Sequence, residues 1–365
     1  MSWVIGEPVP EAFKRLPHQI YQDDPLWIPE DPAALDWLFS EEHGYFAEGR
    51  ATLLVREGAA RVAGFFDPRL RMEGEPAAFF GFWETVNGLE PNRELFQRVE
   101  AWAAGQGARR LYGPVNFTTH RDYRLRLGGF DEPPFPGEPY HPAWYPQILH
   151  ELGFAVAAEY TSHATTKGYR ALIGELLRSK AHYLSRPPNG VRIEALTGGL
   201  WMERLDELYG FVDEAFSHNV AYLPLSERDF RRSYGEGVAR RLCPRTSVIG
   251  LDARGRVAGF LICFPDYGPL LRQGNPARVS ASDLRFERHF PELARPCFLA
   301  KTAAVRGDLR NGGLMSALSA EAAQRSLDVY QDGMICLMHR DNYSTRFTSH
   351  VSDRDRRYAL FGKGI

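Results

Sequence analysis

The sequence has 365 residues, 44 Lys and Arg against 46 Asp and Glu, and a hydrophobic fraction of 44%. At about 100–200 residues per domain this length predicts two domains, and the composition is too apolar for a disordered chain. The net charge of −2 excludes a generally basic nucleic-acid coat and is compatible with a local basic groove. No run approaches the roughly 18 apolar residues of a membrane span, and the N-terminal segment lacks the pattern of a signal peptide. We therefore expect a cytoplasmic protein with no membrane partner.

The first half of the chain predicts a hairpin, a strand, a helix and a further strand. ATLLVREGA (51–59) runs into Arg-Val-Ala-Gly-Phe (61–65), with alternating apolar residues and a Gly at the turn, as in a β-hairpin. An apolar, aromatic run at 77–86 predicts the next strand. The spacing of apolar residues predicts a helix at 92–107, and 109–116 reads as another strand.

A helical segment and a polar linker separate this unit from the second half. Residues 171–185 have helical spacing, and the Pro-Pro-Asn-Gly sequence within 185–190 predicts a break before the next strand. Two stretches rich in Pro, Gly and aromatic residues, 131–146 and 264–295, predict long loops, which in compact domains are often functional. The predicted division is an N-terminal domain at 1–165, a bridging helix and linker at 166–190, and a C-terminal domain at 191–365.

The second half repeats the order of the first. Arg-Val-Ala-Gly-Phe occurs again at 256–260, after the strand-like TSVIGLDARG. CFLAKTAAV at 297–305 predicts a strand, 311–330 a helix, and MICLMH at 334–339 a strand. A shared pentapeptide within a shared order of elements indicates duplication. The fold class is therefore α/β, with mixed β-sheets flanked by helices in two copies of one unit.

The junction between the predicted strand and helix at 306–315 is the strongest candidate binding segment. Gly312 and Gly313 free the backbone to turn, and the unpaired N–H groups of a first helical turn form an anion site suited to a pyrophosphate. Arg310 can add a charge-assisted contact. The loop alone supports a phosphate site and a plain helix-starting turn about equally. The corresponding segment of the first half, 87–94, is acidic and has no glycine pair, so any phosphate binds to the second half.

This junction resembles the pyrophosphate-binding signature of the GNAT superfamily of acyl-CoA-dependent N-acyltransferases, Val-x-Pro-x-Tyr-(Arg/Gln)-x-x-Gly-x-(Gly/Ala). The matching positions are Val305, Arg310 and Gly313, and the departures are Gly307, Leu309 and Met315. Of these, the bulky Met315 is the one that could crowd a phosphate. The resemblance implies that the loop binds the CoA pyrophosphate and that the strand before it lies along the pantetheine. The implied cofactor-binding residues are Thr302, Ala303, Ala304, Val305, Arg310, Asn311, Gly312, Gly313, Leu314 and Met315.

The first half resembles a group of bacterial tandem-GNAT proteins. The segments that carry this likeness are FFGFWE (79–84), GPVNFTT (113–119), GFDEPP (129–134) and YHPAWY (140–145). In that group the N-terminal half is a degenerate copy, and the C-terminal half keeps the phosphate loop. The resemblance implies two tandem GNAT-like domains, acetyl-CoA or another acyl-CoA as co-substrate, no metal, and a small-molecule amine as acceptor. The amine would enter the cleft between the halves.

Acyl transfer to an amine needs a proton acceptor for the nucleophile and an acid for the departing thiolate. His339, which ends its strand, is a candidate base, although a histidine with an ordinary strand-capping hydrogen bond is the more common case. The position where many family members carry an acidic Tyr holds Ser349, beside His350. The full set of candidate catalytic residues is His339, Asn342, Tyr343, His218 and Tyr222. Asn342 matches an Asn of the family, Tyr343 adjoins it, and the last two lie where this fold lines the acceptor site or in a plain surface loop.

Two other functions stay open from the sequence. The same tandem fold can use an aminoacyl-tRNA as acyl donor, and the departure at Met315 is compatible with a loss of CoA binding. The pI of 6.6 argues mildly against a tRNA partner, because phosphate contacts need clustered cations. The second alternative is a non-catalytic module that binds CoA or another ligand, which the missing Tyr favours.

Charged residues and cysteines outside these motifs have simpler interpretations. Lys301 is expected at a solvated strand edge. Arg354, Arg356 and Arg357 are expected in a solvated turn, with a clamp for an anionic acceptor or an RNA acceptor stem as the alternative. The four cysteines show no metal-ligand spacing and are expected to be reduced packing residues: Cys243, Cys263, Cys297 and Cys336.

Overall fold

The strands of this chain form one mixed sheet in a computed structural model that describes residues 3–342, 345 and 352–365. The strands are β1 (Arg50–Arg56), β2 (Ala60–Met72), β3 (Glu75–Thr85), β4 (Arg110–Gly113), β5 (Leu125–Arg126), β6 (Ala155–Thr165), β7 (Arg192–Ala195), β8 (Val248–Leu251), β9 (Val257–Pro265), β10 (Cys297–Val305), β11 (Asp332–His339) and β12 (Arg354–Gly364). The helices are α1 (Glu11–Ile20), α2 (Pro32–Leu38), α3 (Glu90–Gly105), α4 (Tyr145–Glu151), α5 (Tyr169–Ser179), α6 (Ala181–Ser185), α7 (Gly198–Glu203), α8 (Leu205–Phe216), α9 (Glu227–Tyr234), α10 (Glu236–Arg241), α11 (Gly268–Leu271), α12 (Phe286–His289) and α13 (Leu314–Ser326).

The two halves of the sheet repeat one arrangement, as the sequence predicts. In the first half, β1 and β2 form an antiparallel hairpin, β3 follows, and α3 leads to β4, which is parallel to β3. In the second half, the hairpin of β8 and β9 is followed by β10, and α13 leads to β11, which is parallel to β10. The fold class is therefore the predicted α/β arrangement, and the repeated pentapeptide falls on β2 and β9.

The glycine of each pentapeptide lies under the helix of its own half. A Cβ atom on Gly64 of β2 would come within 3.1 Å of the Trp102 ring on α3. A Cβ atom on Gly259 of β9 would come within 3.0 Å of Leu318 Cδ1 on α13. Because the helix packs directly on the strand in both halves, each copy of the repeat needs a residue without a side chain at this position.

The halves exchange strands at the centre of the sheet. The order across the sheet is β1-β2-β3-β4-β12-β6-β11-β10-β9-β8-β7, with β5 attached to β12. The strand β6 lies before the linker in sequence and pairs with β11 of the second half. The strand β12 lies after the linker and pairs with β4 of the first half. The two exchanged strands also pair with each other. The sheet is therefore continuous across the predicted linker at 166–190, where α5 and α6 lie outside it.

Apolar side chains cover both faces of the sheet. In the first half, one face carries a cluster of aromatic rings, and the other packs against α3 and α4. In the second half, α5 and α13 cover one face, and α7, α8 and α9 cover the other. Helices on both faces of a sheet with parallel pairs produce the layered α/β arrangement.

A buried acid lies within the first of the aromatic segments that the sequence singles out. Glu84, at the end of β3, accepts hydrogen bonds at Oε2 from the hydroxyl groups of Tyr21 (2.8 Å) and Tyr145 (2.7 Å). Arg61 lies opposite on β2 but forms its ion pair with Glu30, at 2.8 Å. Burial without a salt-bridge partner of its own raises the pKa of Glu84 to about 7.

We predict that this acid makes the folded protein less stable as pH rises from about 5 to 8. The pKa of Glu84 is raised above its ordinary value of 4.5, so between pH 4.5 and about 7 the folded state binds the proton more tightly than the unfolded state. Ionisation should lower the free energy of unfolding by about 3 kcal/mol across this range. Glu84→Gln keeps an oxygen for both tyrosines and should remove this loss, as measured by urea denaturation at each pH. The exposed Glu90→Gln is the control, and equal pH slopes for wild type and Glu84→Gln would contradict the prediction.

Candidate functional site

The segment 306–313, here called the phosphate loop, connects β10 to α13. Its backbone is left-handed at Asn311 (φ 63°) and at Gly313 (φ 85°), which directly precedes the helix. The first intrahelical bond runs from the N–H of Ala317 to the carbonyl of Gly313, at 3.0 Å. Within the part of the chain that the structure describes, no protein oxygen accepts from the N–H groups of residues 313–316. Four donors of this kind at the positive end of a helix are an arrangement that suits an anion, and this end of α13 is the candidate anion site.

Ion pairs and hydrogen bonds hold the phosphate loop against its neighbours. Arg306 donates to Asp308 (2.7 Å) and Asp252 (3.1 Å), and the N–H of Gly307 donates to the carboxylate of Glu214 on α8 (3.3 Å). The guanidinium group of Arg310 donates to a carbonyl in the last turn of α8, at 3.1 Å. Arg310 is exposed beside the loop, where it has further N–H donors for an anion.

The linker between the halves packs on the glycine pair. A Cβ atom on Gly313 would lie 2.8 Å from the ring of Tyr183 on α6, and one on Gly312 would lie 2.8 Å from Nδ2 of Asn189. Glycine is therefore favoured at 313 by the Tyr183 ring and by its positive φ, whether or not a ligand binds, whereas at 312 the flexible end of Asn189 can move aside. The side chain of Met315 packs against the apolar cluster of α5 and α13, so part of its bulk is directed into the core.

The strands β10 and β11 diverge before they reach this loop. Only residues 297–300 of β10 pair with β11, and their partners are residues 332–335. A bulge at Lys301 follows, and residues 302–305 then pair with β9. Among the described residues no strand pairs with the other edge of 302–305. Thr302, Ala303, Ala304 and Val305 thus lie along an unpaired backbone edge that leads to the anion site.

The equivalent gap in the first half is closed. There the parallel pairing is also short, because only residues 77–79 of β3 pair with residues 110–112 of β4. Beyond this point the N–H of Val115 donates to the carbonyl of Phe80, and Oδ1 of Asn116 accepts from the N–H of Phe82, each at 2.7 Å. The chain that follows β4 therefore occupies the space that stays open between β10 and β11.

His339 ends β11 and is held by two contacts. Its ring lies edge-on to Tyr160, with centroids 5.2 Å apart, and Nδ1 accepts from the N–H of Asp341, at 3.2 Å. A neutral ring in this arrangement carries its proton on Nε2 and presents a donor there. Asn342 is exposed, and its N–H donates to the His339 carbonyl at 2.9 Å. Tyr343, Ser349 and His350 lie outside the described residues.

Arg124 is a residue near this strand end that sequence reasoning missed. Its guanidinium group lies 3.6 Å and 4.2 Å from the ring centroids of Tyr123 and Tyr160. It donates to the carbonyl of Leu337 on β11, at 3.2 Å, and its backbone has the unusual φ of 88°. This contact joins a loop of the first half to β11 two residues before His339. The preceding GPVNFTT segment was the nearest sequence signal.

His218 and Tyr222 lie after α8, at the junction of the halves. His218 is exposed, whereas the hydroxyl group of Tyr222 donates to Asp213, at 2.8 Å, and its ring packs 5.0 Å from that of His120. The neighbours of Tyr222 on both sides are buried in the aromatic cluster of the first half. Within the described residues, no hydrogen bond or ring contact joins either candidate to His339, and their acceptor-lining role stays a prediction.

The expectation of a solvated edge for Lys301 was wrong. The residue is half-buried at the bulge of β10, and Nζ donates to the carbonyl of Pro136, at 2.8 Å, near the ring of Phe135. Burial lowers the pKa of Lys301. The predicted loop 131–146 of the first half covers the sheet at this point. Lys301 therefore lies under this loop, and not on the solvated edge that the local sequence predicts.

The expectation of a solvated turn was also wrong for Arg356. It lies in β12 and is 8% exposed, donates to Glu138 at 2.5 Å, and lies 2.9 Å from Glu132. Glu138 is fully buried and also contacts Arg126, at 2.9 Å, and the hydroxyl group of Tyr358. The charge of Arg356 is thus compensated inside the protein, while Arg354 and Arg357 are exposed.

We predict that removing this buried charge is far more costly than removing the exposed one beside it. Arg356→Met leaves Glu138 with one cation instead of two and should lower the free energy of unfolding by about 3 kcal/mol. Arg354→Met, whose partner Glu132 is 3.4 Å away in an exposed ion pair, should cost less than about 1 kcal/mol. Urea denaturation of both variants measures the difference, and equal losses would show that the buried pair contributes nothing specific.

The cysteines and potential metal ligands fit a structural interpretation. Cys243, Cys263 and Cys336 are buried and free, and Cys297 is half-buried. Burial raises the pKa of Cys263 and Cys336. No group of His, Cys, Asp or Glu in the described ranges has the arrangement of a metal site. Nor does any helix among these residues have the length and apolar character to cross a membrane.

Comparisons with known proteins find similar chains among curated sequences and among solved structures. No protein-family model matches the chain. It is 23% identical over 235 residues to protein YghO of Escherichia coli, covering 60% of this chain and 57% of YghO, so it spans little more than half of that relative. It is 22% identical over 277 residues to the bacterial ceramide synthase of Caulobacter vibrioides, covering 72% of this chain and 70% of the relative.

Solved structures match over the whole chain. A tandem GNAT protein from the clavulanic acid biosynthesis pathway superposes with a TM-score of 0.53 at 11% identity, covering all of this chain and 98% of the other. A protein of Enterococcus faecalis described as a probable N-acyltransferase gives a TM-score of 0.54 at 9% identity, covering all of this chain and 73% of the other. At these identities the likeness concerns the fold.

Proposed function

Because the chain has the tandem fold of the GNAT superfamily, we propose that it is an N-acyltransferase that moves an acyl group from a CoA thioester to an amine. The observation that carries this proposal is the set of unpartnered N–H groups at residues 313–316, at the end of the open edge of β10. An anion site at the end of an unpaired strand edge suits a ligand that has a pyrophosphate joined to an extended amide chain. CoA has both parts.

The geometry favours one orientation of CoA. The pyrophosphate would accept from the N–H groups of residues 313–316 and from the exposed Arg310 of the same loop. The two amide groups of the pantetheine arm would pair with the backbone of 302–305, as an added strand pairs with a sheet edge. In the first half, Asn116 closes the gap, and the acidic Glu90 lies in the first turn of α3. We therefore propose that CoA binds to the second half.

The reaction requires a C–N bond to form at the thioester carbonyl while the C–S bond breaks. One proton leaves the attacking nitrogen and one reaches the departing thiolate. His339 is 28% exposed, and the hydrogen bond from Asp341 to Nδ1 leaves Nε2–H as its free group. This tautomer suits donation to the thiolate, whereas the role of base would require Nδ1 to be released. The proton acceptor for the amine is not assigned among these residues.

A long-chain amine is a second candidate acceptor beside a small-molecule amine. The observation in its favour is the similarity to a ceramide synthase over 72% of this chain. Ceramides are amides of long-chain amino alcohols, so an enzyme that makes them forms an amide bond on a lipid. The same reaction on a lipid amine would need no change in the CoA site proposed here.

We predict that a carboxylate in the first turn of α13 blocks CoA. Ser316→Glu places a negative charge beside the free N–H groups, and Glu at the third helical position also favours the helix, so folding should be retained. CoA affinity, measured by isothermal titration calorimetry, should fall by about tenfold or more. The matched control Ser316→Gln has the same size without the charge and should bind CoA as the wild type does. Equal affinity for the two variants would remove the pyrophosphate site from this position.

A second experiment separates the proposed reaction from its alternatives. Acetyl-CoA and a long-chain acyl-CoA are each supplied with a short and a long-chain primary amine, and thiol release and product mass are measured. We expect thiol release that depends on the amine, and the preferred amine identifies a small-molecule or a lipid acceptor. CoA binding without thiol release for any pair would favour a non-catalytic module. Salt-sensitive tRNA binding with no response to CoA would favour an aminoacyl-tRNA donor.

A further inference from the structure

A separate cleft lies between the two halves and uses none of the residues of the phosphate loop. Its volume is about 440 Å³. The first half contributes residues of α2, among them Trp37 and Leu38, and the side chain of Arg121. The second half contributes Arg232 and its neighbour at the end of α9. Three distant segments thus meet around one space, and each half supplies one arginine.

Neither arginine forms an ion pair within the part of the chain that the structure describes, and Asp122 and Asp229 act on the charge of Arg121 only from beyond ion-pair distance. Among the described residues, no Asp or Glu oxygen lies within 4.0 Å of the guanidinium group of Arg121 or Arg232, and neither side chain donates a hydrogen bond to a protein oxygen. The one carboxylate in the lining, that of Asp31, caps α2 by accepting from the N–H of Ala33, at 3.0 Å. The cleft therefore has an excess of positive charge.

One guanidinium group of the cleft is held over an aromatic ring, and the other is partly desolvated. Arg232 lies over the ring of Trp37, with its central carbon 3.6 Å from the ring centroid. Arg121 is half-buried, and the loss of water around it lowers its pKa. Partial desolvation of Arg121 without an ion pair destabilises its charged form, and the second positive charge of the exposed Arg232 on the same cleft adds repulsion. An anion with two or more oxygens between them would relieve both effects, because each guanidinium fork can donate two hydrogen bonds to it.

Apart from the arginines, Asp31 and Ser233, the lining is apolar and aromatic. Trp37 and Leu38 form part of one wall, together with two alanines of α2. Such a wall favours the hydrocarbon part of a ligand over a fully hydrated inorganic ion.

We propose that this cleft binds a carboxylate or phosphate monoester carried on an aromatic or aliphatic body, with Arg121 and Arg232 on the anion. The proposal is independent of the CoA site, because no residue of the lining belongs to 302–316. The ligand is defined by its chemistry, so the same site suits the anionic end of an acceptor or a separate regulatory molecule.

Isothermal titration with phenyl phosphate tests the proposal. Phenyl phosphate should bind more tightly than inorganic phosphate, which lacks the body, and than phenol, which lacks the anion. Arg121→Met and Arg232→Met should each weaken phenyl phosphate binding by about tenfold or more, since each removes charge-assisted hydrogen bonds. Arg228→Met, which changes an exposed arginine of the same helix outside the cleft, should leave binding unchanged.

Two further measurements keep the result specific to this cleft. Phenyl phosphate binding should persist in Ser316→Glu, because that variant blocks only the N-terminus of α13. Circular dichroism checks the fold of Arg121→Met, and the exposed Arg232→Met gives an independent variant. The proposal is overturned if phenyl phosphate does not bind at millimolar concentration. It is also overturned if binding survives both arginine variants or is lost in Ser316→Glu.

Discussion

The exchange of β6 and β12 between the halves is the constraint on which the rest of the structure depends. β12 lies between β4 and β6, so the last strand of the chain joins the first half to the second through two ladders of hydrogen bonds. The fully buried Glu138 lies against this strand and contacts Arg126 and Arg356. The negative charge of Glu138 thus compensates the positive charges of these two buried arginines. Burying one charge against two of the opposite sign is stable only with all partners in place. The relative position of the halves is therefore fixed by the chain itself.

This fixed position gives the two copies different tasks. Both have a hairpin, a strand, a helix and a strand, and both need a glycine where the helix packs on β2 or β9. They differ in the gap between their parallel strands. In the first copy Asn116 and Val115 hydrogen-bond to β3 and close the gap, whereas the second copy keeps an unpaired edge at 302–305. A few hydrogen bonds thus separate a copy that can admit an extended ligand from one that cannot.

Local patterns were sufficient for much of this outcome. The periodicity of apolar residues located β10 without error and α3 and α13 within a few residues, because helices and strands depend on neighbours close in sequence. The glycine pair marked the turn that precedes α13 for the same reason. The burial of Lys301 and Arg356 could not be predicted, because the groups that enclose them, Pro136 and Glu138, are more than a hundred residues away in sequence. The strand exchange was missed because periodicity carries no information about which strands pair.

The first half is needed for the site even without a phosphate loop of its own. Its loop at 131–146 encloses Lys301 at the bulge where β10 and β11 diverge, and Arg124 donates to β11 just before His339. Arg124 adopts a left-handed backbone conformation that a non-glycine residue rarely takes, and such strain persists only where the surrounding contacts determine it. The second half alone would lack β6 beside β11, as well as both of these contacts. The two copies therefore differ in form, because the second keeps an open strand edge at 302–305 and the first contributes the contacts around it.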